Sequence, residues 1–173
     1  MKPTRLALSL IALWAQPAAA QAILGDAAAC APGSTSPAVL AHYDGLKDRT
    51  GKLRLELFPD NDEDFLQDDF ILTKAGKTFR RIELPMPAAG PIMVCIKAPR
   101  AGRYSMAMIH DRDGLRKFSF SKDGIGFPGN PKMGWSKPKA NKAFVVVGNG
   151  VTTLHIVFNY FRGLGFSPLK SAS

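Results

Sequence analysis

Apolar and polar residues alternate along much of this chain in the two-residue rhythm of strands. Leu53, Leu55 and Leu57 interleave with Lys52, Arg54 and Glu56, the pattern of a strand with one buried face. Short β-branched or aromatic runs bounded by Gly or Pro predict further strands over 78–84, 91–97, 103–110, 144–147 and 151–160. Only the acidic stretch departs from this rhythm. There Phe65, Leu66, Phe70 and Ile71 fall at near-helical spacing behind capping aspartates and predict one short helix.

Strands joined by punctuated turns, without long helical crossovers, predict a mainly β chain. The expected architecture is an antiparallel β-sandwich, immunoglobulin-like or transthyretin-like, with an open barrel as the alternative. Gly148-Asn149-Gly150 between two strong strands predicts a hairpin. The strand domain is expected over 39–161, after an Ala-, Gly-, Pro- and Ser-rich lead-in over 21–38 and before a loose tail over 162–173. One connection stands out. Residues 123–141, DGIGFPGNPKMGWSKPKAN, show neither period, and loops of that length in a compact domain are usually functional or disordered.

The first residues change the compartment. Lys2 and Arg5 precede the apolar run from Leu6 to Trp14, and small residues follow at Ala18-Ala19-Ala20. This is the layout of a secretory signal peptide over residues 1–20, with cleavage after Ala20 or Ala22. The apolar run, about ten residues, is far short of the roughly twenty that span a membrane, so no transmembrane segment is expected in the mature chain. The protein is expected to be exported, periplasmic or extracellular. In an oxidising compartment Cys30 and Cys95 are expected to form a disulfide, contributing about 4 kcal/mol on a chain-entropy model. Two separate buried thiols are the alternative.

Charge is segregated. The chain carries +9, of which Lys2 and Arg5 account for two. Asp60, Asp62, Glu63, Asp64, Asp68 and Asp69 crowd into ten residues with no base among them. A positive remainder attracts anionic partners, and export directs attention to an anionic envelope glycan, a lipid or an acidic protein, with no nucleic acid. The cations gather around the long loop: Arg112, Arg116, Lys117 and Lys122 before it, and Lys132, Lys137, Lys139 and Lys142 within or after it, interleaved with Phe127 and Trp135. Such a surface suits a ring stacked on an aromatic side chain while cations grip its acidic groups. The plainer reading is that the lysines solubilise an exposed loop and Trp135 packs on the sandwich. A third is self-assembly, in which the acidic stretch of one copy meets the basic loop of another.

Gly102-x-Tyr104, His110-Asp111-Arg112-Asp113-Gly114, Lys117-Phe118 and Gly124-Ile125-Gly126-Phe127 resemble a family of exported bacterial proteins, domain of unknown function 2141. The resemblance runs over roughly residues 50–160, including the Leu55-Glu56-Leu57-Phe58 strand and the Asp64-Phe65-Leu66 segment. It implies an envelope-exported β-sandwich and carries no assigned activity. Family members typically continue His-Asp with an Asn- and Gly-rich turn like a calcium loop. Here Arg112, Leu115 and Arg116 stand in that turn, and cations in place of oxygen donors argue against a metal.

Little else points to chemistry. His110 shares the apolar phase of its strand with Tyr104, Met106 and Met108, which predicts a buried, hydrogen-bonded histidine. His155 falls with Thr153, Val157 and Asn159, on the more exposed side. No zinc or metalloprotease spacing joins His42, His110 and His155. Asp60-x-Asp62-x-Asp64 lacks the Gly and Glu of an EF-hand and reads as a solvated helix start. There is no nucleophile elbow, phosphate loop or dinucleotide fingerprint. The expectation is a non-enzymatic binding or accessory module without catalytic residues, metal or cofactor, its ligand held by Arg112, Arg116, Lys117, Phe127, Lys132, Trp135, Lys137 and Lys139. The rival is a metal-dependent binder or enzyme using His110, Asp111 and Asp113.

Overall fold

Alternation along the strands produces two sheets and one shared core. The computed structural model describes residues 22–169, so the expected signal peptide lies outside the described residues. Strands β1 (Ile23–Gly25), β5 (Ile92–Lys97), β2 (Ala38–Asp44) and β9 (Val151–Val157) form a four-stranded sheet in that order. The larger sheet runs β11 (Gly165–Pro168), β10 (Asn159–Arg162), β7 (Gly124–Gly126), β6 (Gly102–Asp111), β3 (Lys52–Pro59) and β4 (Arg80–Pro85), with β8 (Phe144–Val147) also on β6. Most pairs are antiparallel, but β1 with β5 and β2 with β9 are parallel. The two sheets are separate, which decides for a sandwich against an open barrel.

Between them lie Val39, Ala41, Tyr43, Val94, Ile96 and Ile156 of the small sheet, facing Leu53, Leu55, Leu57, Met106, Met108 and Val145 of the large one. Because these residues alternate along each strand, one side of each sheet is predominantly apolar and packs against the other.

The one α-helix among the described residues, α1 (Asp69–Lys74), starts where Asp68 accepts a bond from the Phe70 amide, the expected aspartate cap. Phe65 and Leu66, expected in it, precede it.

Several expectations are corrected. The Gly148-Asn149-Gly150 turn does not close a hairpin: β8 pairs with β6, while β9 joins β2 in the other sheet. The run 151–160 is two strands, since the chain changes sheet at Phe158, which is buried in the shared core. Residues 123–141 contain β7, which pairs with both β6 and β10. Its glycines hide it from pattern reading yet make it possible. A Cβ on Gly124 would lie 2.5 Å from the Tyr160 ring, and one on Gly126 2.6 Å from Ile156. Within the expected loose tail, β11 pairs with β10 and seats Phe166 in a buried cluster. The lead-in contributes β1 and is bonded by the Cys30–Cys95 disulfide, with Cα atoms 6.0 Å apart, so neither cysteine is a free thiol.

No helix among the described residues is long and apolar enough to cross a membrane.

Candidate functional site

The outer face of the large sheet is covered by the two segments that the sequence sets apart. Outward positions of β3, β6 and β7 present Arg54, Glu56, Phe58, Ile109 and Ile125. The acidic segment and the long loop fold over them and build a second buried cluster containing Phe58, Phe65, Leu72, Ile109, Ile125, Phe127 and Phe166. Opposite charges hold the cover to itself and to the sheet. Asp60 pairs with Arg103 at 2.5 Å, Asp62 accepts from the Ala140 amide at 2.7 Å, and Asp64 accepts from Asn61 and Lys77. Asp60, Asp62 and Asp64 are therefore internal anchors and not a solvated helix start.

The cover does not close completely. A cavity of about 830 Å³ remains between it and the sheet, within the usual size of ligand sites, roughly 300–1,000 Å³. Phe58, Ile109, Ile125, Phe127 and Phe166 give it an apolar floor, and Leu115, Phe120 and Trp135 stand at its edge. Trp135 is 63% exposed, held edge-on against Phe161 with ring centroids 5.3 Å apart. Leu66 and Arg116 both line the cavity with φ of 63°. That left-handed conformation is disfavoured for side chains of this kind.

Charges on the lining are unequal. Arg81 donates to Glu56 at 2.6 Å and pairs also with Asp69; Arg116 reaches Asp69 at 3.6 Å and Glu83 at 3.8 Å. Burial alone would raise the Asp69 carboxyl, but Arg81 and then Arg116 hold it below the ordinary carboxylate range. Two more cations than carboxylates line the cavity. Lys117 has no ion-pair partner among the described residues, and Lys137 uses a proton only on the Phe65 carbonyl. Arg54 is 2% exposed, and its Nε has no acceptor, standing 3.9 Å from Asp111. Its Nη1 donates to the Arg116 carbonyl, so this guanidinium is tied to Asp111 and to the Arg116 backbone, with its Nε sealed from solvent.

Of the expected ligand residues, Arg116, Lys117, Phe127, Trp135 and Lys137 come together on this cavity; Arg112, Lys132 and Lys139 do not. Arg112 is bound to Asp48 and to the Lys122 carbonyl, and its hydrogen bonds hold the Asp48 carboxyl well below the usual range. Phe127 is 1% exposed, part of the floor and not a surface stacking ring. Arg54, Glu56 and Arg81 were not expected. In sequence they read as the solvated side of strands, and only the cover over them makes them buried.

The rival set divides. His110 lies on the inner face of β6, 2.7 Å from the Tyr160 hydroxyl through Nδ1 and 2.8 Å from the Thr50 carbonyl through Nε2. Burial lowers its pKa and raises that of Tyr160 to about 12. Asp111, one residue on, faces the other way, where Asp113 and Asp123 join it with ligand atoms within 4.8 Å of one another. Most of these oxygens already accept bonds from the turn: Asp123 from the Arg112 and Ser119 amides, Asp111 from Arg116, and Asp113 from Leu115. His110 and Asp111 therefore do not converge, because adjacent strand residues point to opposite faces.

A family model described as an uncharacterized protein conserved in bacteria, DUF2141, matches residues 42–155. No curated protein and no solved structure matches the chain.

Proposed function

The chain belongs to this bacterial family, DUF2141, and on that premise we propose that it is an exported, non-enzymatic module that binds an amphiphilic anion. The apolar body of the ligand lies on Phe58, Ile109, Ile125, Phe127 and Phe166, and its acidic head meets Arg116, Lys117 and Lys137. The observation that carries this reading is the cavity itself, apolar in its floor and with two more cations than carboxylates on its lining. An acidic glycan held only by surface lysines would not need the aromatic floor. Binding rather than catalysis is supported by the placement of reactive groups: His110 is engaged in the core, both cysteines are bridged, and of the cavity carboxylates Glu56 and Asp69 are paired with arginine while Asp68 caps α1. The disulfide is compatible with export to an oxidising compartment.

Calorimetric titration with decyl and dodecyl phosphate, dodecanol and an acidic oligosaccharide tests it. Each buried methylene contributes about 0.8 kcal/mol, so two more carbons should tighten binding roughly tenfold. The alcohol should bind at least tenfold more weakly than the phosphate, and Arg116→Ala with Lys117→Ala should remove most of that difference. Chain-length independence, or equal binding of the oligosaccharide, would move recognition to the charged rim and contradict the proposal.

A further inference from the structure

The histidines divide into two kinds. His110 engages both ring nitrogens in the core, whereas the rings of His42 and His155 make no hydrogen bond or ion pair with another described residue. These two are register partners on the parallel strands β2 and β9. Their rings stack with centroids 4.6 Å apart and planes 20° from parallel. Their strand neighbours Ala41, Tyr43 and Ile156 fill the inter-sheet core, so the histidines occupy the opposite face, His155 exposed and His42 half-buried. Met93 on β5 is the register partner of His42 on its other side. Met93, His42 and His155 thus form a row across three strands.

The backbone beneath this row is held firmly. Cys95, two residues from Met93 on the same strand, is bonded to Cys30. Asn130 clamps the outer strand, donating to the His155 carbonyl at 3.1 Å and accepting from the Val157 amide at 2.8 Å. Sites built on strands keep their ligands in place better than sites on loops.

We propose that His42 and His155 form a bis-imidazole site for a divalent transition-metal ion, copper(II) most tightly, with the Met93 thioether beside it as a weaker third donor. Neutral imidazole nitrogen suits copper, nickel and zinc, and affinity among first-row divalent ions peaks at copper. Two nitrogens each about 2 Å from one ion lie close together, a geometry the stacked rings can reach by side-chain rotation with the strands unmoved. Calcium and magnesium, which take oxygen ligands, should be refused. The site lies on the small sheet, away from the cavity on the outer face of the large one, so it does not rest on the amphiphile reading.

The test is calorimetric titration of the full chain with copper(II), zinc(II) and calcium chlorides, with circular dichroism to confirm that each variant is folded. One copper ion should bind per chain, more tightly than zinc, with no binding of calcium at this site. His42→Ala and His155→Ala should each weaken copper at least tenfold, Met93→Leu by a smaller factor, and electron paramagnetic resonance of the loaded chain should show two nitrogen donors. No copper binding, or copper binding undiminished in the double histidine variant, overturns the site. Unchanged affinity in Met93→Leu removes the thioether from it.

Discussion

The two faces of strand β3 (Lys52–Pro59) share one backbone and lead opposite lives. Leu53, Leu55 and Leu57 on one face are at most 1% exposed and packed against the small sheet. On the other, Arg54 and Glu56 are almost as inaccessible, at 2% and 3%, yet they lie beneath an irregular cover, in an ionic network beside a cavity. Regular packing of sheet on sheet leaves no space, because side chains from two pleated surfaces interdigitate. Loops packed on a sheet do not match its pleat, and what is left between them is room for a ligand. The inner face is thus the stabilising one, and the outer face is where the proposed binding would take place.

The inner face should respond most. Leu55→Ala should cost about 4 kcal/mol in denaturant unfolding, within the range for deleting buried leucine atoms. A loss below about 1 kcal/mol would mean that the inter-sheet core is not the main source of stability. The outer network should behave differently. Replacing Arg54 alone with Met strands Asp111 as a buried charge and should cost about 3 kcal/mol, whereas Arg54→Met with Asp111→Leu should cost less than that single change. If the double variant is the less stable, the pair is a stabilising unit and not a polar element retained for the site.

Acid should expose the next distinction. His110 is neutral in the folded core with its pKa lowered by burial, while in the unfolded chain it takes up a proton near pH 6.5. Between those values the unfolded state binds more protons, so stability falls as pH falls below about 6.5. Melting temperature followed from pH 7.5 to 5 should show that decline, and His110→Gln should flatten it. An equal decline in the variant would assign the effect to other groups. The smallest effect on folding is expected at the cavity edge: Trp135→Ala, at a side chain already 63% exposed, should change stability by less than about 0.5 kcal/mol while weakening dodecyl phosphate.

Alternation made the inner face legible. Leu53 to Leu57 and Tyr104 to Met108 announce a buried side, and His110 in phase with them sits where that phase puts it, hydrogen-bonded in the core. The disulfide followed from two cysteines and the expected compartment. Long-range pairing was not legible: nothing local distinguishes a turn that closes a hairpin from one that carries Val147 in one sheet to Val151 in the other. Nor could β7 be read from Gly124-Ile125-Gly126, whose glycines are dictated by the approach of Tyr160 and Ile156 from distant sequence. At the candidate site, charge clustering singled out Arg116, Lys117 and Lys137, and the aromatic residues of the loop singled out Trp135, all of which line the cavity. Arg54 and Glu56 escaped because polar residues on alternate strand positions look solvated until something covers them.

The most direct test of the account uses Trp135 as its own reporter. The sequence holds two tryptophans, so in a chain carrying Trp14→Phe all tryptophan emission comes from the cavity edge. Titration with dodecyl phosphate should give a saturable blue shift, reached at no less than tenfold lower concentration than with dodecanol, and binding followed by calorimetry should be lost when Ile125→Trp fills the floor. No shift, or the same shift at the same concentration with the alcohol, would contradict a cavity built for an amphiphilic anion.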